Sequence, residues 1–159
     1  GLVSATYART VRPSERRVGA ATIVRRESVA VTKSSDALDG KAAAHYVFMR
    51  RVHSREKRPY CVISIYLDEK IFRKSPKRFR KETVIPILKD MRDPAISSAR
   101  QTLTIGTADL EVAKLLQVPL NSPVAEVRRV FTTADRTVIY LGEVTYRGDF
   151  IRIDMDLRP

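Results

Sequence analysis

The chain has 159 residues, of which 43% are apolar and 30% charged, a composition typical of one globular domain rather than of a disordered or fibrous chain. Its formal net charge of +12 predicts a negatively charged partner, such as nucleic acid, an acidic ligand or an acidic protein surface. No apolar stretch approaches the roughly 18 residues of a membrane helix, and no apolar core of a secretory signal follows Gly1. Since the first residue is not methionine, we expect the chain to be part of a longer protein.

The N-terminal third predicts an arm followed by three strands. Residues 1–19 are small, polar and basic without a sustained period, which is typical of a linker. The β-branched run at 20–32 indicates a strand, and two more strands are expected at 43–53 and 59–67. The charged sequence SREKR predicts a turn between these last two, so they should be neighbours in one sheet.

The middle of the chain predicts two helices and a strand between them. The first helix is expected over residues 83–91, with Pro86 keeping it irregular. A strand is expected at 95–106. The apolar spacing at 107–118 predicts the second helix, with Thr107 as its candidate cap.

The last third predicts three strands, at 123–133, 137–146 and 150–159. In the last of these, apolar and charged residues alternate strictly, which indicates an antiparallel sheet with one buried face and one solvated face. The predicted fold class is therefore α+β, with a single antiparallel sheet of about six strands and a few short helices.

Motifs of the common enzyme classes are absent from the sequence, which contains no phosphate-binding loop, dinucleotide-binding fingerprint, nucleophile elbow or zinc-protease motif. The one cysteine, Cys61, cannot form an internal disulfide and is expected to be buried, which fits a reducing, cytoplasmic location. His45 and His53 share one predicted strand at a distance of about 26 Å, too far to hold one metal ion. The sequence thus predicts no catalytic residue, no metal site and no cofactor.

Three residues are candidates for binding an anion. Arg51 and His53 should point to the same face of a strand about 6.6 Å apart, where Arg offers a bidentate fork to a carboxylate or phosphate. The alternative is that both lie at the solvated end of the sheet and form ion pairs. Thr83 could bind an anion through its hydroxyl and the free N–H groups of the helix that it opens, or it could be an ordinary N-cap.

Residues 69–81 carry seven Lys or Arg in thirteen positions, with Phe72 and Phe79 between them. Such a segment can bind nucleic acid, with its aromatic rings stacking on bases, or it can be a solvated loop. The sequence contains no recognition helix and no repeated stacking motif, so both alternatives stay open.

The last third also carries a recognisable motif. Residues 122–149, SPVAEVRRVFTTADRTVIYLGEVTYRGD, resemble the closing signature of the UTRA domain, the effector-sensing part of HutC-subfamily, GntR-type bacterial transcription regulators. The residues in register with the family pattern are Leu116, Val118, Pro119, Ser122, Pro123, Val124, Arg128, Tyr146, Arg147, Gly148 and Asp149. An upstream block of the family (R-x-R, a proline, then a strand ending in an aromatic residue) is matched by Arg51, His53, Pro59 and Tyr66. The resemblance covers about residues 18–157.

This resemblance implies a chorismate-lyase-like fold that binds a small, usually anionic metabolite without transforming it. Residues 20–159 would be the effector-binding domain, and residues 1–19 the linker from an N-terminal winged-helix domain that is absent from this chain. The resemblance also implies a homodimer formed through the sheet, no membrane association, and DNA binding by the absent domain only, under allosteric control of the effector.

The effector-binding positions implied by the resemblance are Arg51, His53, Ile63, Thr83, Tyr140 and Tyr146. Ile63 and Tyr140 stand where the family often has carboxylates, which would accept hydrogen bonds from sugar hydroxyls. A flat, apolar acid or an aromatic metabolite is therefore expected rather than a sugar phosphate. Arg129 and Glu143 are expected to be partners on the surface of the sheet.

Two other functions are alternatives to the sensor. A chorismate-lyase-like enzyme would need a placed acid and a closed, dry cavity. A basic nucleic-acid-binding module would bind DNA without any further domain, and the binding would weaken steeply with salt.

Overall fold

The computed structural model describes most of the chain. The described residues are 4–6, 17–18, 22–27 and 40–157. The three N-terminal segments are the strands β1 (Ser4–Thr6), β2 (Arg17–Val18) and β3 (Thr22–Glu27). The rest of the predicted linker 1–19 and of the predicted strand 20–32 lies outside the described residues.

The continuous part, from residue 40 to residue 157, contains long strands and short helices. Its elements are β4 (Lys41–Ala42), β5 (His45–Arg55), β6 (Arg58–Asp68), α1 (Glu69–Phe72), α2 (Pro76–Lys81), α3 (Val84–Asp90), β7 (Ser98–Thr107), α4 (Leu110–Leu116), β8 (Pro123–Thr132), β9 (Thr137–Arg147), a 3-10 helix (Gly148–Phe150) and β10 (Asp154–Asp156). None of the helices in the described ranges is long and apolar enough to cross a membrane.

The strands form one main sheet in the order β2-β5-β6-β9-β8-β7, in which every neighbouring pair is antiparallel. β3 pairs with β5 on the same side as β2, and β4 adds a short parallel pairing to β9. β1 and β10 pair with each other, separately from this sheet. The predicted fold class, an antiparallel sheet of about six strands with a few short helices, is confirmed.

The turn between β5 and β6 sets the register of two central strands. Arg55 pairs with Arg58, so Glu56 and Lys57 form a two-residue loop, with φ angles of 48° and 64°. Positive φ at both loop residues is typical of a type I′ turn, whose twist matches that of the strands it joins. The turn predicted from SREKR is thus confirmed, and together with a register shift between His53 and Ser54 it determines which side chains of β5 and β6 lie opposite each other.

The hydrophobic core lies on both faces of the sheet. On one face, helices α1 to α3 bury side chains such as Phe79, Val84 and Leu88 against β5, β6, β8 and β9. On the other face, α4 buries Ala113 and Leu116 against β6 and β8. The alternation of the last third predicted a solvated second face, but α4 covers part of it.

The basic segment 69–81 is folded differently from either prediction. It forms α1 and α2 rather than a loop. Phe72 and Phe79 are only 7% and 0% exposed, and their rings stack on each other with centroids 6.1 Å apart. These rings anchor the helices to the core, so the prediction that they are available to stack on bases is wrong.

The predicted cap of α4 is also wrong. Asp109, rather than Thr107, is the N-cap, and its Oδ1 accepts a hydrogen bond from the backbone N–H of Val112 at 2.8 Å. Thr107 is the last residue of β7, where it pairs with Pro123. A carboxylate also complements the positive end of the helix dipole, which favours Asp at this position.

The predicted last strand is much shorter than expected. Of the described residues 150–157, only Asp154–Asp156 form a strand, and they pair with β1 rather than with the main sheet. Ile153 and Leu157, which the alternation placed on a buried face, are 42% and 71% exposed. Alternation predicts a strand with one apolar face, but it does not identify the surface that covers that face.

Candidate functional site

A cavity of about 430 Å³ lies between one face of the sheet and helix α3. Its lining comprises Arg51, His53, Cys61, Ile63, Ile65, Thr83, Val84, Ile85, Pro86, Lys89, Asp90, Arg129, Tyr140, Val144 and Tyr146. All six residues predicted to bind an effector are among them. A cavity of this size, mostly apolar with a few polar groups, is typical of a small-molecule site.

The register of the sheet explains why residues distant in sequence meet here. Arg51 on β5 lies opposite Ile63 on β6, which in turn lies opposite Val144 on β9. His53, Cys61 and Tyr146 form the neighbouring row in the same way. Because side chains alternate between the two faces of a strand, every second residue of β5, β6 and β9 points to the cavity.

Arg51 is the most buried charged residue of the cavity, at 2% exposure. Its Nη1 donates a hydrogen bond to the carbonyl oxygen of Glu82 at 2.6 Å, and its Nη2 donates to the carbonyl oxygen of Phe79. Nη2 also lies 3.8 Å from Sδ of Met49. The fork expected to face an anion is therefore occupied by two backbone carbonyls, and Arg51 holds the end of α2 against the sheet.

The charge of Arg51 is not balanced by an acid in the described part of the chain. None of the described carboxylates forms an ion pair with it, and its Nε has no hydrogen-bond partner among the described residues. Burial lowers the pKa of Arg51, while its electrostatic interaction with Tyr140 acts in the opposite direction. Because a guanidinium is a very weak acid, Arg51 stays protonated at neutral pH. The inner end of the cavity therefore carries a fixed positive charge.

His53 and Cys61 lie side by side in this wall. His53 is 4% exposed, and its ring meets the ring of Tyr60 edge-on, with centroids 6.2 Å apart. Cys61, the one cysteine of the sequence, is 3% exposed, so its predicted burial is confirmed. The alternative in which Arg51 and His53 lie at a solvated end of the sheet is contradicted by their burial.

Thr83 lies at the junction between α2 and α3, on the helical side of the cavity. It is the N-cap of α3, but its side chain makes no capping hydrogen bond. Helix α3 has only seven residues, and Pro86 lies in its first turn, where the missing N–H of proline is tolerated. Thr83 thus contributes a half-buried hydroxyl to the cavity next to the carbonyl that Arg51 holds.

Tyr140 fits into the cavity because residue 142 is glycine. The Tyr140 side chain is fully buried, and its ring lies 5.0 Å from the ring of Phe131. A Cβ atom at Gly142 would lie 2.5 Å from the Tyr140 hydroxyl oxygen. No role for Gly142 was predicted from the sequence, although a glycine inside a strand often marks such a close approach.

Three charged residues at the cavity were not predicted as part of it. Lys89 and Asp90, both exposed, come from the end of α3, and Arg129 comes from β8. Arg129 Nε also donates a hydrogen bond to Oε1 of Gln101 at 2.7 Å. Arg129 was expected on the surface of the sheet. It lies opposite Gly142, on the same face of β8 as Val127 and Phe131, and this is the face that carries the cavity. Glu143 is exposed, as expected.

The structure is thus a small α+β domain with a cavity on one face of its sheet, and the sequence identifies its family. The UTRA domain family matches residues 14–152. The chain therefore belongs to the UTRA domain family. No curated protein sequence matches the chain.

Solved structures of GntR-family regulators share this fold. The ligand-binding domain of a candidate GntR-family transcriptional regulator from Bordetella bronchiseptica is 20% identical, with a TM-score of 0.64 over 91% of this chain and 88% of that chain. The effector domain of PhnF from Mycobacterium smegmatis is 19% identical, with a TM-score of 0.61 over 84% of this chain and 80% of that chain. In another structure of PhnF, the match covers 86% of this chain but 59% of the PhnF chain, with 19% identity and a TM-score of 0.63. At these identities the likeness shows the fold alone.

Proposed function

We propose that this chain is the ligand-sensing domain of a GntR-family bacterial transcription regulator, and that it binds a small anionic effector in the cavity. The observation that carries the proposal is the buried guanidinium of Arg51, which lines the cavity without an acidic partner among the described residues. A buried cation without a counter-ion is costly, so an anion that enters the cavity is stabilised by the charge it neutralises. The family and the relatives described as ligand-binding and effector domains support a sensory role.

The lining of the cavity favours a particular kind of anion. Besides Arg51, His53 and Arg129, the wall formed by the sheet carries mostly apolar or aromatic side chains, among them Ile63, Ile65, Tyr140 and Tyr146. Asp90 is the one carboxylate among the described lining residues, and it is exposed, so few acceptors are present for the hydroxyl groups of a sugar. A flat or aromatic carboxylic acid fits this wall better than a sugar phosphate does.

The proposed signal begins at the end of α2. An anion that attracts the guanidinium of Arg51 competes with the carbonyl oxygens of Phe79 and Glu82 for its N–H groups. Because Thr83 and α3 follow Glu82 directly in the chain, a change at these carbonyls would also move α3. A ligand shifts such an equilibrium only through its different affinity for the two states, typically by 1–3 kcal/mol. We propose that the change is transmitted through the predicted linker 1–19 to a winged-helix domain outside this chain.

Other parts of the proposal rest on the resemblance alone. They are membership of the HutC subfamily, a homodimer formed through the sheet, a cytoplasmic location, and binding of DNA by the winged-helix domain rather than by this domain. The boundary between a linker at 1–19 and a sensor at 20–159 is also a proposal, and the family match begins at residue 14.

A thermal-shift screen tests the proposal directly. The panel contains small carboxylates, aromatic acids and sugar phosphates. A ligand at 100 times its dissociation constant adds about 2.7 kcal/mol of apparent stability, which raises the melting temperature by a few degrees. We expect such a shift from one class of apolar or aromatic acids, with no effect of neutral isosteres.

Arg51→Ala and Arg51→Gln are expected to lose the shift. The matched control is Arg50→Ala: Arg50 is the preceding residue of β5, has its side chain on the other face, and pairs with Glu111 at 2.5 Å. Arg50→Ala should respond to the ligand as the wild type does. An unchanged ligand affinity in folded Arg51→Gln would remove Arg51 from the binding site and contradict the proposal.

The alternative of a chorismate-lyase-like enzyme lacks a candidate acid. Asp90 is the one acid among the described lining residues, and its exposure leaves it solvated, whereas a catalytic acid is usually held in a dry site. We therefore expect no release of pyruvate when the chain is incubated with chorismate. Turnover in a coupled assay, lost in Asp90→Asn, would favour the enzyme.

A further inference from the structure

The cavity contains a second guanidinium group besides that of Arg51. Arg129 on β8 is half-buried and lines the same cavity, and its Nε donates a hydrogen bond to Oε1 of Gln101 at 2.7 Å. Gln101 is the residue opposite Arg129 on β7. Because the amide of Gln101 is neutral, this hydrogen bond orients the guanidinium of Arg129 without neutralising its charge.

The sheet places the two arginines on opposite sides of the cavity. Arg51 lies on β5 and Arg129 on β8, with β6 and β9 between them. Arg129 is opposite Gly142 on β9, which is opposite Ile65 on β6, two residues along the strand from the partner of Arg51. Three strand spacings of about 4.8 Å and this offset of about 6.6 Å separate the two Cα atoms by about 16 Å.

The floor of the cavity between the two arginines is apolar. Ile63 and Ile65 of β6 and Val144 of β9 line it. At Gly142 the floor has no side chain, and the hydroxyl group of Tyr140 lies over this position. A ligand that contacts both guanidinium groups must therefore cross a mostly apolar surface.

The lining also carries more positive than negative charge. Arg51, Arg129 and Lys89 are cations, and Asp90 is the one carboxylate among the described lining residues. Lys89 and Asp90 are adjacent and exposed, so water and salt screen both of them. The two arginines remain, and each is less costly to bury when it meets a negative group.

We propose that the effector is a dicarboxylic acid with an apolar spacer, which binds one carboxylate at Arg51 and the other at Arg129. The inference rests on the proposed function and narrows its effector from an apolar or aromatic acid to a diacid. A monoacid leaves one guanidinium unmatched, and a phosphate ester has both of its charges at one end. A diacid presents one carboxylate to each guanidinium, whose paired N–H donors fit its two oxygens.

A matched set of ligands tests the proposal on the wild-type chain. Succinate, adipate, suberate and terephthalate are each compared with their monomethyl esters by calorimetric titration. The ester keeps the length and the spacer of the diacid but removes one charge, and phenyl phosphate places two charges at one end of an apolar ring. We expect the diacid of the best length to bind about tenfold or more tightly than its own ester and than phenyl phosphate.

Variants of two neighbouring arginines assign the second carboxylate to its partner. Arg129→Gln should lower the affinity for the diacid to that for the ester and leave the affinity for the ester unchanged, whereas Arg51→Gln should weaken both. The matched control is Arg128→Gln, because Arg128 is the preceding residue of β8 and lies opposite Glu143, on the other face of the sheet. Arg128→Gln removes the same charge and should keep the tenfold preference.

Arg129→Lys is a second variant that keeps the charge at this position. A lysine lacks the paired N–H donors of arginine, so we expect it to retain only part of the preference for the diacid. Comparing each variant and the wild type with both diacid and ester gives a thermodynamic cycle for the contact between residue 129 and the second carboxylate. A general loss of stability would weaken both ligands alike and leave the coupling in this cycle at zero.

The outcomes separate this inference from the proposed function. Monoesters that bind as tightly as their diacids, or an Arg129→Gln that weakens both ligands equally, would overturn the second carboxylate site but not the anion sensor. Tighter binding of phenyl phosphate than of every diacid would also overturn it. Binding of none of these acids by the wild type would overturn both proposals. A preference for the diacid that Arg129→Gln removes and Arg128→Gln keeps supports the assignment.

Discussion

The hydroxyl group of Tyr46 is a single-residue determinant of stability. Tyr46 is 0% exposed, and its oxygen accepts the N–H of Ala43 at 2.8 Å and donates to the carbonyl of Val138 at 2.7 Å. Burial raises the pKa of Tyr46, so the hydroxyl keeps the proton that it donates. Tyr46→Phe leaves two buried backbone groups without partners and should lower the free energy of unfolding by about 1–3 kcal/mol. Urea unfolding measures this, with the half-buried Tyr66→Phe as the control; equal losses in both would contradict the role of the hydroxyl.

Gly142 allows a direct test of the position of Tyr140. The Cβ of Gly142→Ala would lie too close to the Tyr140 hydroxyl, so the ring must move within the cavity. Overpacking of this kind typically costs 1–3 kcal/mol, and we expect the ligand-induced thermal shift to be lost as well. Gly106→Ala is the control, since its Cβ would meet only the Glu126 side chain, at 3.4 Å. A full ligand response in Gly142→Ala would show that the effector does not contact Tyr140.

At the residue scale, the sequence predicted part of the site, because strands have a simple period. Arg51 and His53 were placed on one face by their spacing, and the structure shows both in the cavity wall. The same period assigns Arg129 to the face of Val127, but the sequence does not show which face of β8 is inward. The carbonyls that occupy the fork of Arg51 were not predictable, because they belong to helix α2, which is distant in the chain.

At the scale of elements, the turn between β8 and β9 depends on one carboxylate. Asp135 accepts hydrogen bonds from the Thr133 hydroxyl and from the backbone N–H and hydroxyl of Thr137. These bonds lower its pKa from 3.8 to about 2. A carboxyl whose pKa is lower in the folded state stabilises the protein above its unfolded pKa, and this contribution is lost as the pH falls through the folded pKa.

The lowered pKa of Asp135 determines how the stability loss in Asp135→Ala depends on pH. The variant should be less stable than the wild type at pH 7, and the difference should shrink as the pH falls from about 4 to about 2. Urea midpoints at a series of pH values measure it, with Asp93→Ala, an exposed acid of another loop, as the control. A difference that stays constant down to pH 2 would mean that the ionised carboxylate does not hold the turn.

A strand could be predicted from the sequence where the strand that pairs with it is close by in the chain. The strands predicted at 43–53 and 59–67 are joined by their own turn, and both are confirmed as β5 and β6. The strand predicted at 150–159 depends on a distant partner, since Asp154–Asp156 pair with Ser4–Thr6. Local sequence therefore determined the hairpins well, whereas pairing between the two ends of the chain was not readable from it.

At the scale of the whole molecule, charge and apolar surface are separated. The basic residues are spread over strands, helices and loops, including the seven of segment 69–81, while β7 has one charged residue, Arg100. Binding of the chain to a polyanion and association between two copies of the chain should therefore depend on salt in opposite ways. Contacts with a polyanion weaken as salt rises, because bound counterions are released on binding. Contacts between two like-charged copies through a surface with few charges strengthen, because salt screens the repulsion between the copies.

Self-association should therefore become tighter as salt is added. The screening length falls from about 30 Å at 10 mM salt to about 8 Å at 150 mM, so most of the repulsion between two copies is removed over this range. We expect the dimer dissociation constant, measured by sedimentation equilibrium, to fall by about tenfold or more, equivalent to roughly 1.4 kcal/mol. A dissociation constant that rises with added salt would instead indicate that ion pairs hold the copies together, which would contradict this prediction.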